Sequence, residues 1–370
     1  MTRKPNILLV GDMPGWAFHN IITFVRSKVQ GYNFYYDYTI YNPIENSKVT
    51  SDFKAKSHHI APRTLKKTIP FQQTFLLKGL VYRVINCLNQ FGLLSYNGDG
   101  QFRRIRKNNT YDLVLFLDYY MDKDADFAHI KAKTRVKGIF TAQFPPKGIR
   151  IDPNISLEEF CENYLTDSDA LLVGAPCIAQ TYTDVFTKPI FFANMAYDEQ
   201  VFCPTSKELN INEPLIVGWT GNPDRDFKGF YSHVIPAVEH LKKLGYSIEL
   251  KTQFDGTLNS LADFWNKVDV ALITSEADAG PSMFMEASLC GVPSISTRIG
   301  LPNDVIEDKV NGLFCDRNVS DIVDKLKFLI DNKKIHRAMK NNIRATYISK
   351  LGVEIQKARW KSLFNAVLNE

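Results

Sequence analysis

No two of the six cysteines, at 87, 161, 177, 203, 290 and 315, are spaced as a C-x-x-C pair. That argues against a zinc site or a disulfide framework and fits a reducing cytoplasm. No apolar run approaches the roughly 20 residues that span a bilayer. The apolar part of the opening segment, residues 1–11, is too short for a signal peptide and leads directly into a strand. Short internal repeats and low-complexity segments are absent as well. Gly11 and Gly15 are not spaced as in a Gly-x-Gly-x-x-Gly fingerprint, which weakens a nicotinamide-enzyme reading. Asp122, Asp124 and Asp126 alternate in an acidic run, read as a solvated loop or helix start because metal sites need convergent ligands.

What is present is a chain of 370 residues, 45% hydrophobic and 23% charged, ordinary for a globular protein. The length is too great for one typical core, so two domains are expected. Short apolar runs recur at Ile7–Val10, Phe34–Tyr41, Leu113–Leu117, Val136–Thr141, Ala170–Val173 and Ile190–Ala193. The pattern restarts at Leu215–Trp219, Ser247–Lys251, Val270–Ile273 and Val292–Ser296. Helical patterns lie over Ala17–Val25, Val234–Leu244, Val319–Ile330, Ile335–Ser349 and Val353–Leu368. Apolar strands alternating with helices predict parallel sheets covered on both faces, hence two doubly wound, Rossmann-like α/β domains facing a cleft. The expected division is 1–205, 206–350 and a C-terminal helix over 351–370, with the break in the polar stretch Pro204–Pro214.

One segment carries more chemistry than the others: Asp278-Ala-Gly-Pro-Ser-Met-Phe-Met-Glu286, followed by Gly291-Val292-Pro293. Pro281 fits the first turn of a helix, where a missing N–H costs nothing. A glycine at 280 lets the backbone approach a ligand closely. The helix start turns amides and the positive dipole end outward, which suits a diphosphate held by Gly280, Pro281, Ser282 and Met283. Glu286 stands four positions after Ser282, on the same face. Carboxylates at 278 and 286 are natural acceptors for sugar hydroxyls.

These residues resemble the donor signature of retaining glycosyltransferases of the GT-B fold, family 4 type, which reads Glu, seven residues, Glu-Ala, then Gly-x-Pro. Asp278 stands where the family has its first Glu, and Glu276 lies two residues earlier, out of register. Asn194-x-x-x-Asp198, Phe202 and Pro204 resemble the family's interdomain segment. Gly221-Asn222 and Lys228-Gly229 resemble its Gly-Arg…Lys-Gly diphosphate loop, with Asn222 in the arginine position and Arg225 a nearby substitute. Gly11 and Gly15 resemble the loop under the reacting sugar. The resemblance implies a metal-independent enzyme moving a hexose-like unit from a UDP- or GDP-linked donor, with no cofactor, to a saccharide or lipid-linked acceptor. Lys228, Arg225, Asp278 and Glu286 would carry the chemistry, and Asp118 or Tyr119 would contact sugar or acceptor.

Charge points toward the acceptor. Residues 51–110 hold eleven lysines and arginines against two acids, Asp52 and Asp99, interleaved with Phe71, Phe75 and Tyr82. A basic amphipathic stretch favours an anionic membrane surface or a phosphorylated acceptor. Nucleic acid is an alternative by charge alone. The expected setting is cytoplasmic, peripheral at the inner membrane face, in cell-surface glycan synthesis. The alternatives are a DNA-modifying glucosyltransferase, a sugar-nucleotide epimerase, or a catalytically silent binding subunit of the same architecture.

Overall fold

The computed structural model describes residues 3–12, 17–39, 110–123, 127, 130–146, 151–205, 214–254 and 256–368, together with the backbone of 95–97 and 101–103. Gly15, Asp124, Asp126 and most of the basic stretch 51–110 lie outside the described residues. Two compact units are present: Met1–Gly138 with Tyr164–Leu171 and Phe364–Glu370, and Ile139–Asn163 with Leu172–Leu363.

The two α/β sheets expected are present, and each of the ten expected strands has a counterpart, while the short strands Ser95–Asn97, Gln101–Arg103 and Leu313–Phe314 were not expected. One sheet has six strands: β1 (Asn6–Gly11), β2 (Asn33–Tyr38), β5 (Tyr111–Phe116), β6 (Ala132–Ile139), β7 (Ala170–Val173) and β8 (Ile190–Phe192). Their spatial order is β2-β1-β5-β6-β7-β8. A small antiparallel hairpin joins β3 (Ser95–Asn97) to β4 (Gln101–Arg103). The second sheet has five strands in the order β10-β9-β11-β12-β13. These are β9 (Leu215–Thr220), β10 (Ile248–Gln253), β11 (Val270–Ile273), β12 (Ser294–Ser296) and β13 (Leu313–Phe314), all parallel.

The apolar runs explain this arrangement. Leu113 to Leu117 and Val270 to Ile273 are fully or almost fully buried, as parallel strands covered on both faces must be. The helices bury one stripe each. In the helix Val319–Asp331 that stripe is Ile322, Val323, Leu326 and Leu329, and Asn318 caps its start by accepting the Asp321 N–H at 2.9 Å.

Strand order then says where a ligand would go. In the first sheet β1 lies between β2 and β5, and in the second β9 lies between β10 and β11. At each place the chain switches from building one side of its sheet to the other. Ligands of open α/β sheets bind beyond the carboxyl ends of the strands at such a switch. Gly11 ends β1 and Asp118 follows β5 in the first sheet; Gly221 and Thr274 follow β9 and β11 in the second.

Candidate active site

Beyond β11 the chain runs through Thr274 to Gly280 before the helix Ser282–Leu289 begins. A second backbone fixes the depth of this loop. Leu301 donates its N–H to the Ala279 carbonyl at 2.7 Å, and Thr297 Oγ1 donates to the Ser275 carbonyl at 2.7 Å. Gly300 passes so close that a Cβ there would lie 2.0 Å from the Ala279 carbonyl oxygen, at a φ of +29°. Only glycine fits this crossing. Gly280 also sits close to protein groups. Its missing Cβ makes room for the Asn194 amide and Leu301, both 3.1 Å from where a Cβ would stand. Asp278 is held at the loop's end: Gly280 donates its N–H to Oδ1 at 3.1 Å, and Lys228 Nζ lies 3.4 Å from Oδ2.

Pro281 is the cap of the helix rather than its first residue, one position earlier than expected. Its carbonyl accepts the first helical bond, from Phe284 at 2.9 Å, so the Ser282 and Met283 amides precede the intrahelical ladder. Ser282 is exposed, but the Met283 side chain, 5% exposed, belongs to the core. The helix stops at Gly291, whose φ of +72° closes a Schellman turn: Val292 donates to Ala287 at 2.9 Å and Gly291 to Ser288 at 3.1 Å. Gly291 therefore has a local structural reason within the Gly-Val-Pro segment.

Glu286 lies inside the helix and is 3% exposed. Trp265 donates its indole N–H to Oε2 at 3.0 Å, and Tyr197 is hydrogen-bonded to the same carboxylate and to Ser282. Burial holds Glu286 above the ordinary carboxylate range, opposed by those two donors and by Lys228. Burial beside Glu286 also pushes the Tyr197 phenol well up, so it remains a neutral donor.

Lys228 ends a single 3-10 turn, Asp226–Lys228, that follows β9. Gly221 enters the loop at φ +130°, a conformation for glycine, and Asn222 Oδ1 accepts the Asp224 N–H at 3.0 Å in an Asx turn. Gly229 leaves it at φ +71°. The loop rests on the end of β11: Thr274 Oγ1 donates to the Lys228 carbonyl at 2.8 Å, and Glu276 donates its N–H to Phe227 at 2.8 Å. Arg317, which the sequence reading passed over, donates to the carbonyls of Thr274, Asp226 and Phe227 at 3.0, 3.3 and 3.4 Å. Arg225 caps the 3-10 turn, and its carbonyl accepts the Lys228 N–H at 2.8 Å. The second unit thus gathers Lys228, Asp278, the helix start at 281–283 and Glu286. The chemistry available is an ammonium paired with a carboxylate, beside amides of a helix start, next to a buried acceptor.

Gly11, Asp118 and Tyr119 belong to the first unit. The β1–β5 register pairs Val10 with Phe116, and two residues on it sets Asp12 opposite Asp118. Burial pushes the Asp118 carboxyl up to about 8; the Tyr119 N–H opposes this at 2.9 Å, and the Asp12 charge adds to it. Tyr119 packs edge-on against Tyr164. Asp122 corrects the solvated reading of the acidic run. It is 8% exposed and pairs at 2.7 Å with Lys137, a fully buried lysine that also bonds Asp167 and the Tyr164 carbonyl, each at 2.6 Å. A local acidic pattern does not reveal a partner fifteen residues on. Among the described residues no three His, Cys, Asp or Glu side chains are grouped to hold a metal ion.

Residues 235–346 match the model of the family described as glycosyl transferases group 1. The N-acetyl-alpha-D-glucosaminyl L-malate synthase of Bacillus anthracis is 26% identical over 124 residues, 33% of this chain and 32% of that protein. An uncharacterized glycosyltransferase of Methanocaldococcus jannaschii is 26% identical over 106 residues, 28% of each chain. The chain therefore spans about a third of the length of the curated relatives it matches. Sucrose-phosphate synthase from Thermosynechococcus elongatus superposes with a TM-score of 0.64 at 13% identity, covering 99% of this chain and 100% of the other. Anabaena HepE, solved with UDP and glucose, gives 0.59 at 11% identity, covering 98% and 100%. At these identities the structural likeness is one of fold, two parallel-sheet α/β domains of GT-B type. The family match falls within the second unit, which holds Lys228, Asp278 and Glu286.

Proposed function

We propose that the protein transfers a sugar from a nucleotide-sugar donor to a saccharide or lipid-linked saccharide acceptor. The observation that carries this reading is the pairing of Lys228 with Asp278 at 3.4 Å, beside the start of the Ser282–Leu289 helix and within the unit that holds the family match. Cleavage of a bond between an anomeric carbon and a nucleoside diphosphate builds negative charge on the phosphate. Fixed positive groups aimed there lower the barrier most. Lys228 supplies such a group, and Arg225 a second from the same loop. The Ser282 and Met283 amides offer a cradle that is complementary to phosphate oxygens. Asp278 accepts from the sugar hydroxyls, and Glu286 from the ribose.

The rest of the reading extends the resemblance. The donor is UDP- or GDP-linked, the transfer retains configuration without a metal, and the family is type 4. Residues 1–205 form the acceptor side, 206–350 the donor side, and 351–370 a closing helix. Asp118, protonated near neutral pH, offers both a donor and an acceptor to a sugar hydroxyl. The basic stretch 51–110 docks an anionic membrane surface during cell-surface glycan synthesis. No described helix is long and apolar enough to cross a membrane.

The test is a thermal-stability screen with UDP-, GDP- and ADP-sugars, since a ligand that binds only the folded state raises its apparent stability. Stabilisation by one base class, with release of the free nucleoside diphosphate when an acceptor is supplied, is expected. No stabilisation by any of them, and no release, would remove the reading.

A further inference from the structure

We infer that Arg317 is a positioning residue that sets the place of the Lys228 loop for a nucleoside diphosphate. The inference rests on the donor reading of the site.

The Lys228 loop has little of its own to hold it. It is a single 3-10 turn between two glycines in left-handed or glycine-only conformations, Gly221 and Gly229. Runs of this kind are short and weakly bonded. The ammonium is therefore aimed only as well as the backbone carbonyls of 226–228 are held. Within the turn Gly229 donates its N–H to the Asp226 carbonyl at 3.0 Å, and three groups from outside it complete the hold. The Thr274 hydroxyl takes the Lys228 carbonyl, the Glu276 amide takes the Phe227 carbonyl, and Arg317 takes Asp226 and Phe227 from the other side. The Arg317 Nε is meanwhile fixed to the Thr274 carbonyl at 3.0 Å. One planar guanidinium thus ties the loop to the end of β11, the strand that leads to Asp278. Gly229 shows how close the two are: a Cβ there would stand 2.8 Å from Thr274 Oγ1.

An arginine suits this task and a lysine does not. Its donors leave in a rigid fork, so several carbonyls at fixed angles can be bonded together. Its charge also adds to the positive field of a loop that carries Arg225 and Lys228. Arg317 comes from the turn after β13, some ninety residues from the loop it braces, which is why no local motif announces it.

The experiment is a double-mutant cycle read by titration calorimetry. The probes are whichever of UDP and GDP binds the wild type, and the matching nucleoside monophosphate. Arg317→Ala should weaken the diphosphate about tenfold or more and the monophosphate less than threefold. In a Lys228→Ala background the same change should alter diphosphate affinity less than twofold, because the group it positions is gone. Arg317→Lys should behave like Arg317→Ala. Thr274→Val removes another tie of the same brace and should give the same diphosphate-selective loss, which keeps the test alive if Arg317→Ala does not fold. Equal losses for both probes, or an undiminished loss in the Lys228→Ala background, would make Arg317 a general brace of the fold and overturn the inference. Binding of neither UDP nor GDP by the wild type would instead refute the donor reading, and the inference with it.

Discussion

Replacing Glu286 with Gln should move ligand affinity and stability in opposite directions. The carboxylate is 3% exposed and is met by the Trp265 indole at 3.0 Å and by Tyr197. A glutamine of the same shape keeps one acceptor oxygen, enough for Trp265, and turns its NH2 toward the Tyr197 hydroxyl, which can accept while still bonding Ser282. What it loses is the charge-assisted acceptor offered to a ligand hydroxyl. A hydrogen bond to a charged group is worth about 1.5–3 kcal/mol, which is roughly a 10- to 150-fold rise in Kd. Stability follows the other sign. Burial raises the Glu286 pKa in the folded state, so the fold holds that proton more tightly than the unfolded chain does. The stability it lends is complete below the unfolded pKa and is lost as pH rises through the folded one. As pH rises above the unfolded pKa the wild type loses that stability, and the glutamine variant, which does not titrate, keeps its own. Its Tm should equal or exceed that of the wild type at pH 7 and change less between pH 4 and 7. Calorimetric titration with the nucleoside diphosphate that binds the wild type gives the affinity, and differential scanning calorimetry gives the Tm. A variant with unchanged affinity and a Tm several degrees lower at pH 7 would show that Glu286 is a framework residue, and the argument would fail.

Lys228→Ala should cut turnover by a factor of about 10²–10³, the usual cost of a group facing developing charge, and by more than Arg225→Ala does; equal, small losses in steady-state assays would place the phosphate elsewhere. Gly300→Ala should abolish stable folding or lower the Tm sharply, because its Cβ would lie 2.0 Å from the Ala279 carbonyl oxygen, and a thermal melt near the wild type would contradict that crossing. Lys137→Met should cost about 3–5 kcal/mol in urea unfolding, since it leaves Asp122 buried without its cation; a loss under 1 kcal/mol would mean the pair is already neutral. Replacing Arg103, Arg104, Arg106 and Lys107 together should weaken sedimentation with anionic vesicles at low salt and leave donor hydrolysis unchanged, each charge contributing about 1 kcal/mol; identical sedimentation at every salt would end the membrane proposal.

The strands were legible because parallel strands covered on both faces must be apolar throughout. Leu113–Leu117 and Val270–Ile273 are of this kind, and the longer helices followed from stripes such as Ile322, Val323, Leu326 and Leu329, whereas short ones such as Leu157–Tyr164 and Leu258–Trp265 were not read. Contacts made within a few residues were also legible in part. The helix after Asp278 starts one residue later than Pro281 suggested, since proline tolerates the cap position as well as the first turn. Gly280 was read through what it could admit, and its space is taken by Asn194 and Leu301. What was not legible is everything made at long range. Trp265 reaches Glu286 from 21 residues away, Arg317 reaches Thr274 from 43, and Gly300 crosses Ala279. Nothing in a tryptophan, an arginine or a glycine taken alone tells which distant backbone it will meet. Asp122 shows the cost of a purely local reading, because the acids that alternate after it in sequence suggest solvent and its neighbour in space is a buried lysine.

The indole of Trp265 also makes the protein its own spectroscopic probe. A ring that is fully buried emits at short wavelength, and this one has its N–H fixed on a single carboxyl acceptor. The excited state of indole carries a larger dipole than the ground state, so its emission energy follows the charge at the end of that bond. On the proposed function, a ligand hydroxyl that shares the Glu286 oxygens would lower the field along the ring and should shift the emission maximum. Trp219 and Trp360 are also buried, but Trp360 donates to the Asn194 carbonyl, a neutral partner, and supplies an internal reference. If the proposed donor binds at Glu286, stopped-flow fluorescence should follow it with no label added and no residue changed.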